Sequence, residues 1–144
     1  MFLCVSKKSI IRVLQRKNTE CMLQGDFYTI QSTQNKDGSV NAVLELNSQH
    51  PIFIGHFPGQ PVVPGACLLQ IVKEIMQTVT KVDLQLLKAN QIKFLSIIDP
   101  TKSSIVKMVI KYHTDENTNT AVSATFFYDT TTYCKFNGVF KLTQ

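Results

Sequence analysis

Fifteen residues, Ala66 to Thr80, contain neither glycine nor proline and repeat their apolar side chains with helical spacing. Leu68, Leu69, Val72, Ile75, Met76 and Val79 form an apolar face, while Gln70, Lys73, Glu74 and Gln77, at i, i+3, i+4 and i+7, form a polar stripe. The patterned segments on either side read as strands. Ahead of the helix, "DFYTIQST" and "VNAVLEL" flank "NKDG" (Asn35 to Gly38), and Asp-Gly between strand-like runs predicts a hairpin. After it come "NQIKFLSII" (Asn90 to Ile98), "SIVKMVIKYH", "AVSATFFY" and "YCKFNGVFKL", separated by polar turns. Val106, Met108, Ile110 and Tyr112 fall on one face of the second of these. One helix cannot cover a parallel sheet built by crossovers. The sequence therefore predicts an antiparallel sheet wrapped around one long central helix, an α+β fold.

At 144 residues the chain is long enough for one domain with its own core. We place a single domain at 26–144, preceded by an arm at 1–25 with a short amphipathic helix near Lys7 to Lys17. No apolar run approaches a membrane span, and "MFLCVSKKS" lacks the apolar core of a signal peptide. The four cysteines are spread without a Cys-x-x-Cys pair, so free thiols, no metal site and a cytoplasmic setting are expected. The net charge of +5 has no nucleic-acid-binding signature beside it. It suits an acidic protein partner or an ordinary solvated surface.

The stretch from His50 to Gln70 is unlike the rest. Pro51, Pro58, Pro61 and Pro64 fix φ and remove donors, which predicts a stiff loop that is neither helix nor inner strand. Gly55, Gly59 and Gly65 allow positive φ or close approach. Pro64-Gly65 stands just before the helix, whose first amides have no intrahelical partner and face the positive end of the dipole. A glycine there leaves them open to a carbonyl oxygen, the requirement of an oxyanion site. His56, between Gly55 and Phe57 on the same loop, is the candidate general base. His50 and His113 lack such a setting and are read as structural, and Cys67 as a small core residue.

"GHFPGQPVVPG" (Gly55 to Gly65) closely resembles the GHFPGxPxxPG signature of the hot dog fold 3-hydroxyacyl-acyl-carrier-protein dehydratases. "ANQIKFLSIIDP" is similar to the family's strand after the central helix, and the resemblance runs from about Asp26 onward. The opening "HPIFIGHFPGQPVVPG" looks most like members of aryl polyene or flexirubin-type pathways. The family's "PHRYPFLLVD" segment has no counterpart here. The resemblance implies a dimeric hot dog fold in which His56 removes the α-proton of a 3-hydroxyacyl thioester and Gly65 donates its amide to the thioester carbonyl. It also implies Ala66 and Phe57 beside an apolar tunnel, and a cis peptide at His56-Phe57. The family's acid lies fourteen residues after the histidine, where this chain has Gln70, which cannot supply a proton. Glu74, one helical turn on, is the candidate to take over the acid role directly or through water, second to its reading as a solvent-facing helix glutamate.

The leading expectation is a 3-hydroxyacyl-acyl-carrier-protein dehydratase that needs no cofactor. It would form enoyl thioesters as a homodimer or higher oligomer, with a basic mouth for the phosphopantetheine arm of an acidic acyl carrier protein. The alternatives are a catalytically impaired acyl-carrier-protein-binding subunit and, less in keeping with the motif, an acyl thioesterase.

Overall fold

The computed structural model describes residues 23–55 and 61–143. The helix expected near residues 7–17 lies outside them. Six strands form one antiparallel sheet in which, counted along the chain, the first, second, fourth, fifth, sixth and third stand side by side. β1 (Tyr28–Lys36) and β2 (Ser39–Leu46) form the predicted hairpin, with Asp37 (φ 50°) and Gly38 (φ 77°) in the left-handed region its two-residue turn demands. A four-residue helix α1 (Ile52–Gly55) and the long helix α2 (Gly65–Thr80) come next, followed by β3 (Asp83–Phe94), β4 (Ile105–Thr114), β5 (Asn119–Tyr128) and β6 (Thr131–Thr143).

One face of the sheet closes on α2. Val40, Ala42 and Leu44 of β2, Val106, Met108 and Ile110 of β4, and Val122, Ala124 and Phe126 of β5 alternate inward. They form one cluster with Leu68, Leu69, Ile71, Val72, Ile75 and Met76. The α+β expectation of an antiparallel sheet around one long helix is met.

Three details differ from the sequence reading. The helix begins one residue earlier, at Gly65. The Gly/Pro stretch contains α1, because Pro51 stands ahead of the helix, where a missing amide costs nothing. β3 starts at Asp83 rather than Asn90, ends at Phe94, and is kinked by irregularities at Leu86/Lys88 and Ala89/Gln91. These shift the inward phase from Leu84 and Leu86 to Ala89 and back to Ile92 and Phe94, so no single period of two runs through it.

Candidate active site

The start of α2 is fixed from two sides. Val62 and Val63 are buried, and the Val63 amide donates to the Ile98 carbonyl at 3.0 Å, tying the incoming chain to the segment after β3. From the same region the Phe94 ring lies on Gly65: an added Cβ would stand 2.5 Å from its Cζ and 2.7 Å from its Cε1. Glycine is therefore required for close approach of an aromatic ring and not for a positive φ. Sequence reasoning missed Phe94, because its contact is made across the fold.

Pro64 caps the helix in extended conformation without a side-chain hydrogen bond, and no acidic residue occupies the first turn. The Cys67 amide turns back to the Pro64 carbonyl at 3.0 Å. The amides of Gly65 and Ala66 remain without an intrahelical acceptor at the positive end of the dipole. Ala66 is half-buried, while its neighbours Gly65 and Cys67 are buried. An anion or a carbonyl that is gaining charge is what such an end stabilises.

The polar stripe turns inward. Gln70, Lys73 and Glu74 are all buried, and Glu74 retains only 3% of its accessible surface, which corrects the solvent-facing alternative. The residues that cover it come from the other end of the domain. Glu74 Oε2 accepts from the Leu23 amide at 2.8 Å and from Gln70 Nε2 at 2.9 Å, and Oε1 accepts from the Gln24 amide at 2.9 Å and the Tyr28 hydroxyl at 3.1 Å. Two donors on each oxygen fill the roughly four lone-pair positions of an ionised carboxylate. Burial first, then the charge and hydrogen bond of Glu74, raise the Tyr28 hydroxyl far above its ordinary value. Burial, reinforced by Glu74, pushes the Cys67 thiol up to about 12, so Cys67 is no nucleophile near neutral pH. Two of the donors to Glu74 are backbone amides, for which no side-chain signal exists. Tyr28 did carry one, since a buried tyrosine hydroxyl needs a partner.

Gln70 Oε1 is buried and meets no hydrogen-bond partner among the described residues. Its orientation is set by chemistry: reversing the amide would turn that oxygen on the carboxylate of Glu74, acceptor against acceptor. His50, read as structural, caps α1. Its Nδ1 accepts the Ile52 amide at 3.1 Å, its Nε2 lies 3.2 Å from Asp26 Oδ2, and its ring packs edge-on to Phe27 at 5.3 Å.

His56, Phe57 and the link between them lie outside the described residues, as does the expected opening of the tunnel. What the described residues form beside α2 is a recess of about 20 Å³ lined by Val62, Val63, Leu68, Phe94 and Ile98 among others, room for roughly one water. Among the described residues no cluster of His, Cys, Asp and Glu has metal-binding geometry, and no helix is long and apolar enough to cross a membrane.

The family model for ApeI-like proteins, described as ApeI dehydratase, matches residues 31–136, which run from within β1 to within β6 and include α2. The chain belongs to the ApeI-like dehydratase family. The curated relatives this ApeI-like chain matches include the 3-hydroxyacyl-[acyl-carrier-protein] dehydratase FabZ of Haemophilus influenzae (strain PittEE), 29% identical over 68 residues, 46% of this chain and 45% of that one. The FabZ of Wolbachia pipientis wMel is 25% identical over 80 residues, 51% of this chain and 56% of that one. The chain thus spans about half the length of the curated relatives it matches. Among solved structures, the dehydratase heterocomplex ApeI:P from Xenorhabdus doucetiae aligns with a TM-score of 0.60 at 21% identity, covering 80% of this chain and 96% of that one. A hypothetical thioesterase with coenzyme A from Streptococcus pneumoniae TIGR4 aligns at 0.58 and 15% identity, covering 83% and 91%. At these identities the structural likeness establishes the hot dog fold of this ApeI-like chain and nothing finer.

Proposed function

We propose that this protein is a 3-hydroxyacyl thioester lyase that removes water from an acyl chain carried by acyl carrier protein. The observation that carries the reading is the start of α2 at Pro64-Gly65, with no side-chain cap and no acidic residue in its first turn, in a chain of the ApeI-like family. The thioester carbonyl oxygen accepts from the Gly65 and Ala66 amides, which stabilise the enolate as charge builds on that oxygen. His56 takes the α-proton, and the C–H electron pair becomes the new double bond. The C–O bond to carbon 3 breaks, and the oxygen leaves as water once protonated. Gln70 has no proton to give, and the acceptor positions of Glu74 are filled from within the chain. In this reading the imidazolium of His56, which has just gained a proton, returns it to the leaving oxygen. Phe57 belongs to the acyl-chain wall in this reading, and the enzyme works as a cytoplasmic dimer whose +5 charge attracts the acidic carrier.

Incubating the purified chain with 3-hydroxyacyl-acyl carrier protein tests this. Enoyl thioester is expected, with a loss of at least about 10²–10⁴-fold in His56→Ala. Free acid as the product overturns it in favour of hydrolysis. Tight acyl-carrier-protein binding with a wild-type rate no greater than that of His56→Ala makes the chain a binding subunit, a second reading that Gln70 favours.

A further inference from the structure

The face of the sheet turned away from α2 carries charge of one sign. β4, β5 and β6 contain no aspartate or glutamate, while Lys107, Lys111, Lys135 and Lys141 stand exposed at their outward positions. Lys88 and Lys93 of β3, also exposed, extend the same face. Opposite charges across a strand pair stabilise a sheet, and like charges destabilise it. Here no lysine of the four strands faces a carboxylate. Lys107 lies opposite Val43 and Phe127, Lys111 opposite Ser39 and Ser123, and Lys141 opposite Asn119 and Gln85. Lys135 lies opposite Thr125 on one side and, as a like charge, Lys93 on the other. Among the described residues none of these lysines makes an ion pair. The carboxylates sit at the margins instead: Glu45 near the end of β2, Asp83 at the start of β3, and Asp37, Asp115, Glu116 and Asp129 in the turns.

We propose that the outer face of β3, β4, β5 and β6 docks on an anionic lipid bilayer, with α2 and its open end on the side of the sheet away from the lipid. The occupant follows from what accompanies the charge. Protein interfaces deplete lysine and are built on buried aromatic or arginine anchors. The middle of this face offers Ser123, Thr125 and Asn137, short polar side chains between the lysines. A single-stranded nucleic acid asks for exposed rings on which to stack its bases. Phe127 is half-buried, the Tyr128 ring is already engaged by the Lys107 ammonium 6.0 Å from its centroid, and the four strands hold no arginine. A layer of anionic headgroups needs neither anchors nor stacking. It attracts point charges spread over two dimensions, across a Debye length of about 8–10 Å, without matching the shape of the face. It also relieves the repulsion between Lys93 and Lys135.

The test is co-sedimentation of the full chain with vesicles of phosphatidylcholine alone and of phosphatidylcholine with phosphatidylserine at roughly two to one. The wild type should bind only the second kind and should be released by high salt. Each lysine that reaches an anionic surface strengthens binding about fivefold. The variant Lys107→Gln, Lys111→Gln, Lys135→Gln, Lys141→Gln should therefore lose about 25- to 600-fold, as two to four of these touch at once. Its control is Lys7→Gln, Lys8→Gln, Arg12→Gln, Arg16→Gln, which removes as much charge from the first 17 residues and should lose less than a tenth as much. Should the fourfold face variant fail to fold, Lys111→Gln with Lys135→Gln alone should still lose about 5- to 25-fold. Equal losses in the face variant and its control make the effect one of net charge and overturn the proposal, as does wild-type binding that ignores phosphatidylserine. Tighter binding to single-stranded RNA than to the anionic vesicles overturns it in favour of a nucleic acid. A face variant that keeps the vesicles and loses acyl carrier protein overturns it in favour of a protein partner. None of these readouts depends on enoyl formation, so the lyase reading stands or falls apart from them.

Discussion

The two ends of helix α2 are finished in opposite ways. At its C-terminus the chain satisfies itself: Lys81 adopts the left-handed conformation (φ 60°, ψ 30°) and its amide reaches the Gln77 carbonyl at 2.8 Å. Thr78 and Thr80 donate back to the Glu74 and Met76 carbonyls, and the Gln77 side chain receives the Leu84 amide at 2.9 Å. At its N-terminus Pro64 offers no side chain to the first amides, and a glycine and an aromatic ring occupy the places where a capping side chain and its neighbours usually stand. A helix end capped by its own chain is finished for stability. One left open beside a buried, unpaired acceptor is finished for something that arrives.

The largest stability effect should come from the carboxylate beneath the open half. Glu74→Leu strands Tyr28, the Gln70 amide and two backbone amides at once, and urea unfolding should show a loss of about 3 kcal/mol or more. A loss under 1 kcal/mol would mean that the open half does not depend on this clasp.

Alkaline pH probes both regions of the core together. Cys67 near the open end and Cys134 in β6 are each pushed by burial from an ordinary 9.0 up to about 12, Cys67 with help from Glu74. Between pH 9 and 12 the unfolded thiols lose protons that the folded ones keep. The stabilisation from the neutral thiols is complete below pH 9 and drains away as pH rises toward 12. Each contributes a slope of up to about 1.4 kcal/mol per pH unit. Unfolding free energies of the wild type should fall by close to 3 kcal/mol between pH 8 and 10, and by about half of that in Cys134→Ala.

Gly65→Ala sharpens the contrast at the open end itself. The new methyl meets the Phe94 ring, so overpacking should cost about 1–3 kcal/mol, and Phe94→Ala in the same chain should recover part of it. If Gly65→Ala alone is as stable as wild type, the ring does not dictate the glycine. The smallest effect belongs to the closed end. Lys81→Gly removes a left-handed side-chain penalty at an exposed position and should stabilise by about 0.5–1 kcal/mol in thermal melts, with no change in thioester binding.

How much of this could be read from residues alone follows the range of each signal. The Asp37-Gly38 turn and the start of α2 are written in adjacent residues; the turn is where the sequence puts it and the helix starts one residue earlier. The sequence pattern marks β3 only from Asn90 because two irregularities break the alternation of a strand. The polar stripe on α2 suggested water for a good local reason, since Gln70, Lys73 and Glu74 are polar and regularly spaced. The covering segment, Leu23 to Tyr28, joins Glu74 through backbone amides and one hydroxyl from some fifty positions away. Gly65 stood out in the sequence as a place of close approach, but the body that approaches, Phe94, is set by the strand's path.

The pairing of β3 with β6 has a consequence for how the protein is made. β3 leaves the ribosome directly after the helix, yet among the described residues its partner in the sheet is the last strand alone, with Leu84 opposite Leu142 and Phe94 opposite Cys134. During synthesis β3 and the Phe94 ring that shapes the start of α2 wait, unpaired, while three more strands are translated. The nascent chain carries an exposed strand edge throughout that interval, the condition under which neighbouring chains on one message stick to each other. A ribosome stalled between β3 and β6 holds a chain whose β3 has no strand to pair with and whose site is unassembled.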